Sequence, residues 1–161
     1  MINDAITLVS WRTRPRSFVA LMALYESNYV RMSWLAGNLA SLAGRHVSAV
    51  RDDCDLVLNV TERTPYTTTL NLTYRFGSPA DGSVVSEYPD MGVRIYHDAR
   101  VAEAQGGSQS PDHPALRQFR NGLERELDQR WARNVMLNKW LEYCLERGHR
   151  FSSATLELTT R

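Results

Sequence analysis

Apolar residues recur every three or four positions over the first quarter of the chain. The recurrence runs from Phe18 to Leu42 and follows Pro15 and Ser17, residue types that favour a helix start. Such spacing predicts an amphipathic helix, and we expect it to end near Gly44 because glycine commonly terminates helices.

The middle of the chain changes to alternating apolar and polar residues, which is the pattern of half-buried strands. Segments 56–61 and 67–76 alternate on either side of a turn and predict a β-hairpin. A long strand is predicted over 91–105, with shorter strands around 46–51 and 84–88. Threonine and aromatic residues are frequent in these segments and favour the same interpretation.

Helical spacing returns near the C-terminus, over 116–126 and 128–147, with Gly148 as the predicted stop. The predicted buried face of the second segment consists of Met136, Leu137, Trp140, Leu141, Cys144 and Leu145. Segment 151–158 is a candidate for a further strand. The predicted fold class is therefore α+β, an antiparallel sheet of about four strands packed against an N-terminal and a C-terminal helix.

The length of 161 residues predicts a single domain over 1–161. Segment 1–14 shows no periodicity and is expected to be a loose N-terminal arm. Segment 105–115 is rich in Gly, Ser and Pro, which predicts a mobile surface insertion.

Charge and cysteine content narrow the class of protein. The net charge is +1, so no global field attracts the chain to nucleic acid, and nucleic-acid binding is not expected. Polar residues interrupt 18–42 and argue against a membrane span, and no secretory pattern opens the chain. Two distant cysteines, Cys54 and Cys144, are expected to be reduced thiols. These features predict a cytoplasmic protein.

The sequence contains no motif for a metal or a cofactor, and we predict neither. The four histidines and two cysteines lack the ligand spacing of zinc sites. No glycine-rich phosphate loop and no nucleophile-elbow motif is present. We therefore assign no catalytic residue.

Segment 93–104 carries more polar side chains than a strand requires. If it is one strand, Arg94, Tyr96 and Asp98 share a face, and His97 points to the other face. His97 and Asp98 then cannot form an acid/base pair, and His97 is expected to belong to the core.

Two asparagines lie on the apolar stripes of the predicted helices. Asn28 follows Tyr25 by three positions, and Asn134 precedes Leu137 by three, with Arg130 one turn earlier. Buried amides need partners, so the two asparagines indicate either a structural hydrogen-bond network or part of a ligand site. The full candidate ligand-binding set is Glu26, Asn28, Tyr66, Arg94, Tyr96, Asp98, Arg130 and Asn134.

Three functions are compatible with these residues. The favoured hypothesis is a non-enzymatic protein that binds a regulatory partner protein or a small anionic ligand. The second is a small hydrolase or transferase acting on a nucleotide or phosphoester, with His97 as acid/base and Asp98 or Glu62 assisting. The third is a homodimeric, chaperone-like binding module with Trp34, Trp131 and Trp140 as interface anchors.

Several motifs occur along the chain in the order found in a known protein family. They are the helix L-Y-E-S-N-Y at 24–29, the strand V-R-I-Y-H-D-A at 93–99, and Asn134 followed by W-L-E-Y-C-L at 140–145. In these motifs the chain resembles the YqiB-like family of uncharacterised proteobacterial proteins, a domain of unknown function. The resemblance spans about 16–149 and implies a small cytoplasmic bacterial protein without an assigned catalytic residue.

Overall fold

The computed structural model describes residues 17–77, 82, 85–106 and 122–151. The predicted arm 1–14, most of the predicted insertion 105–115 and all but the first residue of the predicted strand 151–158 lie outside these ranges. The elements are helix α1 (Phe18–Ala36), a 3-10 helix (Leu39–Ser41), strands β1 (Arg45–Ser48), β2 (Asp55–Arg63), β3 (Thr67–Phe76), β4 (Ser86–Tyr96) and β5 (Val101–Gln105), and helix α2 (Gly122–Glu146).

The strands form one antiparallel sheet in the order β1-β2-β3-β4-β5, so each strand pairs with its neighbour in sequence. The predicted α+β class with an N-terminal and a C-terminal helix is confirmed. The sheet has five strands within the described ranges instead of about four. The predicted hairpin of β2 and β3 is also confirmed, with Leu58 opposite Leu72.

One face of the sheet carries the core, and both helices pack against it. Leucines of β2 and β3 alternate onto this face, and they are fully buried. The large apolar side chains that meet there are Met32, Leu35, Leu56, Leu58, Leu70, Leu72, Val93, Ile95, Leu137 and Leu141. Burying each such side chain stabilises the fold by roughly 1.5–3 kcal/mol before conformational entropy is counted.

Helix α1 begins as the sequence predicts and ends earlier. The Ser17 hydroxyl accepts a hydrogen bond from the N–H of Ala20 at 3.1 Å, which is a standard N-cap. The helix ends at Ala36 because Gly37 adopts a φ of 71°, and the chain then forms the 3-10 helix. The apolar spacing continued to Leu42 because Leu39 and Leu42 are also buried, although they lie beyond the helix.

The predicted long strand over 91–105 is wrong in one respect, because the segment is a hairpin. Strand β4 ends at Tyr96, a turn spans 97–100, and β5 returns from Val101. The register pairs Tyr96 with Val101, so the core-facing positions change from odd numbers, at Val93 and Ile95, to even numbers, at Ala102 and Ala104. In the sequence the apolar series continues at Ala99 and Val101, so the reversal shows only as the adjacent apolar residues at 101–102.

Helix α2 is one helix in the described residues, where the sequence predicted two segments. It ends at Glu146, and Gly148 has a φ of 91°, as expected for the predicted stop. Met136 was predicted to be buried but is 46% exposed, since it lies about 100° around the helix from the buried Leu137. Neither α1 nor α2, as far as they are described, is long and apolar enough to cross a membrane.

Candidate functional site

Three asparagines from the two helices form one buried hydrogen-bond network. The Asn28 amide donates to Oδ1 of Asn134 at 3.2 Å, and the Asn138 amide donates to Oδ1 of Asn28 at 3.0 Å. Asn28 and Asn134 are 0% exposed, and Asn138 also donates to the Ser27 hydroxyl at 3.0 Å. The network fixes the position of α1 relative to α2 along the helix axes.

The side-chain amides of Asn28 and Asn134 also form hydrogen bonds with backbone groups at the outer edge of β5. Oδ1 of Asn134 accepts the backbone N–H of Ala104 at 2.8 Å, and the Asn28 amide donates to the carbonyl of Ala102 at 3.4 Å. An uncovered edge would expose these backbone groups to pairing with another chain. Because the amides of Asn28 and Asn134 are bonded inside the protein, they act here as structural groups that close the sheet.

The β4–β5 hairpin gathers polar side chains on the face away from the core. Antiparallel pairing places Arg94 opposite Glu103. Oε1 of Glu103 accepts hydrogen bonds from the Tyr96 hydroxyl and from the Gln105 amide, both at 2.9 Å. Nε of Arg94 donates to the Thr69 hydroxyl at 3.3 Å, which ties the guanidinium to β3.

The helices bring two further polar groups to this hairpin. The Tyr25 hydroxyl of α1 is buried, and it lies within electrostatic reach of Glu103 and Arg130 without a well-formed hydrogen bond to either. Burial raises the pKa of Tyr25, and the Glu103 carboxylate raises it further, while Arg130 opposes both. We call Tyr25, Arg94, Tyr96, Glu103 and Arg130 the β4–β5 polar cluster.

The two arginines of this cluster lie near different tyrosines, Arg130 near Tyr25 and Arg94 near Tyr96. Arg130 also forms an ion pair with Glu126 at 2.9 Å, and the Glu126 side chain is 60% exposed. Exposed pairs of this kind contribute little and exchange readily with other anions. Burial raises the pKa of Tyr96, as do the hydrogen bond to Glu103 and its charge, so the hydroxyl remains a donor.

The remaining residues of the candidate set do not join the cluster. Glu26 is exposed on α1, and Tyr66 is 65% exposed in the β2–β3 turn. Asp98 is exposed in the β4–β5 turn, so the prediction that it shares a strand face with Arg94 and Tyr96 is wrong. A strand register cannot extend into the turn that reverses the chain.

His97 lies in the same turn and points toward β3. Its Nε2 is hydrogen-bonded to the hydroxyl of Thr68 at 2.8 Å, and its Nδ1 is buried without a partner among the described residues. The side chain is partly buried rather than enclosed in the core. Asp98 and Glu62, the two carboxylates considered for acid/base chemistry, are both exposed and are not bonded to it.

A second cluster of titratable side chains connects the end of α2 to the sheet, and sequence reasoning missed it. Nε2 of His149 is 2.9 Å from Oδ2 of Asp53, and Nδ1 is 3.0 Å from the Ser48 hydroxyl. The Ser48 hydroxyl also accepts the N–H of Arg150 at 3.1 Å. Burial acts to raise the pKa of Asp53, but the hydrogen bond from His149 and neighbouring charges bring it below its usual value.

This Ser–His–Asp group resembles a catalytic arrangement only in composition. His149 is fully buried, and Ser48 is nearly so. The neighbouring Cys144 donates to or accepts from the Tyr74 hydroxyl at 3.3 Å, and burial raises the pKa of its thiol to about 11. The Cys144 thiol is therefore protonated near neutral pH. The Ser48–His149–Asp53 group is structural, because its hydrogen bonds hold residues 149–150 against β1.

An open apolar groove runs along α2 beside the ends of β3 and β4. Its volume is about 670 Å³. The lining residues are Tyr74, Pro89, Trp131, Ala132, Val135, Met136, Lys139, Trp140 and Tyr143. Among the residues that the structure describes, no group of three or more His, Cys, Asp or Glu side chains is arranged to hold a metal ion.

Fold and site together define a small α+β protein in which helix asparagines close the edge of an antiparallel sheet beside a polar cluster. The family described as a protein of unknown function (DUF1249) matches residues 31–150. The uncharacterized protein YqiB of Escherichia coli K12 is 30% identical over 131 residues, which cover 81% of this chain and 90% of that protein. YqiB proteins of the O6:H1 and O157:H7 strains match to the same extent.

The chain therefore belongs to the DUF1249 family, and the YqiB-like resemblance of its sequence is confirmed. The matched segment contains the sheet, the last six residues of α1 and all of α2. No solved structure matches the chain.

Proposed function

We propose that this protein is a non-enzymatic cytoplasmic protein that binds a small anionic ligand at the β4–β5 polar cluster. The observation that carries the proposal is that two arginines flank the tyrosines beside Glu103: Arg130 acts on Tyr25, and Arg94 acts on Tyr96. Guanidinium groups bind carboxylate and phosphate in a bidentate manner, and the Arg130–Glu126 ion pair is exposed, so a ligand anion can compete for this guanidinium group.

The hydroxyls of the cluster add directional selectivity. Raised pKa values keep Tyr25 and Tyr96 protonated; the Tyr96 hydroxyl donates to Glu103, and the Tyr25 hydroxyl is available as a donor to an anion. Glu103 accepts two hydrogen bonds through Oε1, and a ligand hydroxyl or amine can donate to its other oxygen. The chemistry favours a small carboxylate or phosphate that also carries a hydrogen-bond donor.

Binding has more support than catalysis. An enzyme of the hydrolase or transferase type needs an accessible base beside a second functional group. His97 is instead bonded to Thr68, and the Ser48–His149–Asp53 group is enclosed. The raised pKa of Cys144 disfavours its use as a nucleophile.

The test is a thermal-shift panel of inorganic phosphate, citrate, malate and adenosine monophosphate, repeated on variants. Arg94→Gln and Arg130→Gln should each remove most of the stabilisation by an anion that binds. Arg45→Gln is the matched control, because Arg45 is exposed on β1 at the opposite edge of the sheet. The proposal fails if no anion raises the Tm, or if all three variants lose the shift equally.

A further inference from the structure

Helix α2 has two apolar faces, and the sheet accounts for only one of them. Leu137, Leu141 and Cys144 point into the core. A second row follows the helix from Trp131 to Tyr143 and lines the groove. At a rise of 1.5 Å per residue this row is about 18 Å long, which is more than three helical turns.

The second face is accessible to a partner. Met136 is 46% and Tyr143 is 47% exposed, while Trp131 and Val135 are partly buried where they pack against α1. Apolar side chains clustered in this way along a groove are typical of interaction surfaces, whereas single exposed apolar residues are ordinary. Tyr74 and Pro89 form the facing wall, so an occupant would contact both the helix and the sheet.

One charge interrupts this apolar surface. Lys139 is the only lysine of the chain, and it lies exposed in the middle of the row. Within the described ranges it forms no ion pair, although Glu142 and Glu146 belong to the same helix. A lone ammonium group surrounded by apolar side chains complements a partner that presents one carboxylate at the corresponding position.

We propose that this groove docks an amphipathic segment of another protein, with apolar side chains on Trp131, Met136 and Trp140 and an Asp or Glu that pairs with Lys139. The length and open shape of the groove suit a helix laid against it. A second copy of this chain fits less well. In a symmetric dimer formed through this groove, a two-fold axis through the middle of the row would bring two Lys139 side chains close together. The repulsion between their like charges disfavours such a dimer.

The proposal is tested by selecting a displayed library of amphipathic peptides of about 12–16 residues against the full chain. Enriched peptides should carry apolar residues at helical spacing and a common Asp or Glu. Their Kd, measured by fluorescence anisotropy, should rise on the order of tenfold with Lys139→Glu and with Met136→Asp. Arg45→Glu, the matched charge reversal on β1, should leave the Kd unchanged.

Several results would overturn the proposal. One is the absence of any enriched peptide whose affinity depends on Lys139. Another is a concentration-dependent dimer, seen by sedimentation and abolished by Met136→Asp, which would assign the groove to a second copy.

The thermal stability of Met136→Asp supplies a third criterion. If the groove is open, this substitution should change the Tm by no more than about 2 °C. A larger fall would show that the chain covers the groove itself. Arg94→Gln should bind the selected peptides normally, so failure here is separate from failure of the anion site.

Discussion

The side-chain oxygen of Asn134 accepts the backbone N–H of Ala104 at 2.8 Å, so a helix residue continues the hydrogen-bond ladder beyond the last strand. Asn28 adds the bond to the carbonyl of Ala102 at 3.4 Å, and each amide also bonds to the other. The edge of β5 is thus covered by the two helices. This arrangement predicts where substitutions will cost most stability.

Asn134→Ala should lower the free energy of unfolding by about 3 kcal/mol, because it leaves the N–H of Ala104 and one N–H of the Asn28 amide unpaired in a buried place. Urea denaturation followed by circular dichroism measures the change. Asn59→Ala removes an exposed asparagine from β2 and serves as the control, with an expected effect below about 0.5 kcal/mol. Equal effects of the two substitutions would contradict the assigned role of Asn134.

Glu103→Gln should lower the pKa of both Tyr25 and Tyr96. Burial is the largest cause of each raised value and stays in place, so both should remain above the usual range after the Glu103 charge is removed. A pH titration of the tyrosine ring signals by NMR, assigned with Tyr25→Phe and Tyr96→Phe, tests this. Glu62→Gln removes an exposed carboxylate and should move neither titration.

Asp53→Asn should change how the free energy of unfolding depends on pH. The pKa of Asp53 is lowered in the folded protein, so its carboxylate stabilises the fold above its ordinary value of 3.8, and this contribution is lost as the pH falls through the folded pKa. The stability difference between the wild type and Asp53→Asn should therefore be present near pH 7 and shrink in acid. A difference that is constant with pH would contradict the proposed pairing with His149.

Arg100→Gly should stabilise the β4–β5 turn by about 0.5–1 kcal/mol. Arg100 has a φ of 54°, a conformation that glycine adopts without the steric cost borne by other residues. Ala99→Gly in the same turn is the control and should be neutral or destabilising, since no positive φ is found there. Thermal unfolding of both variants separates the two effects.

The sequence allowed the fold class to be predicted because periodicity reports burial directly. The stripe of α1 and the alternation of β2 and β3 both mark residues that face one core. The β4–β5 reversal was not predicted because Ala99 and Val101 continue the apolar series through the turn, although the core face moves to Ala102 and Ala104. The end of α1 was predicted too late because Leu39 and Leu42 remain buried after the helix stops. Burial patterns identify faces more reliably than they identify the ends of elements.

The candidate site was predicted in part for a similar reason. A polar residue on an apolar stripe is conspicuous, and this signal identified Asn28 and Asn134. Asn138 carried the same signal, one turn after Asn134, and could have been found. Glu103 was not identified, because its position opposite Arg94 depends on the strand register of a hairpin that was predicted as one strand.

The connectivity of the sheet has a consequence for the order in which the chain assembles. Each strand pairs with its neighbour in sequence, so the sheet is built from local hairpins that close short loops. The contact between Asn28 and Asn134 joins positions 106 residues apart, so it can form only after both helices have packed against the sheet. We therefore expect the contact between these asparagines to form after the transition state for folding. Substituting either asparagine should then speed unfolding and leave the rate of folding nearly unchanged.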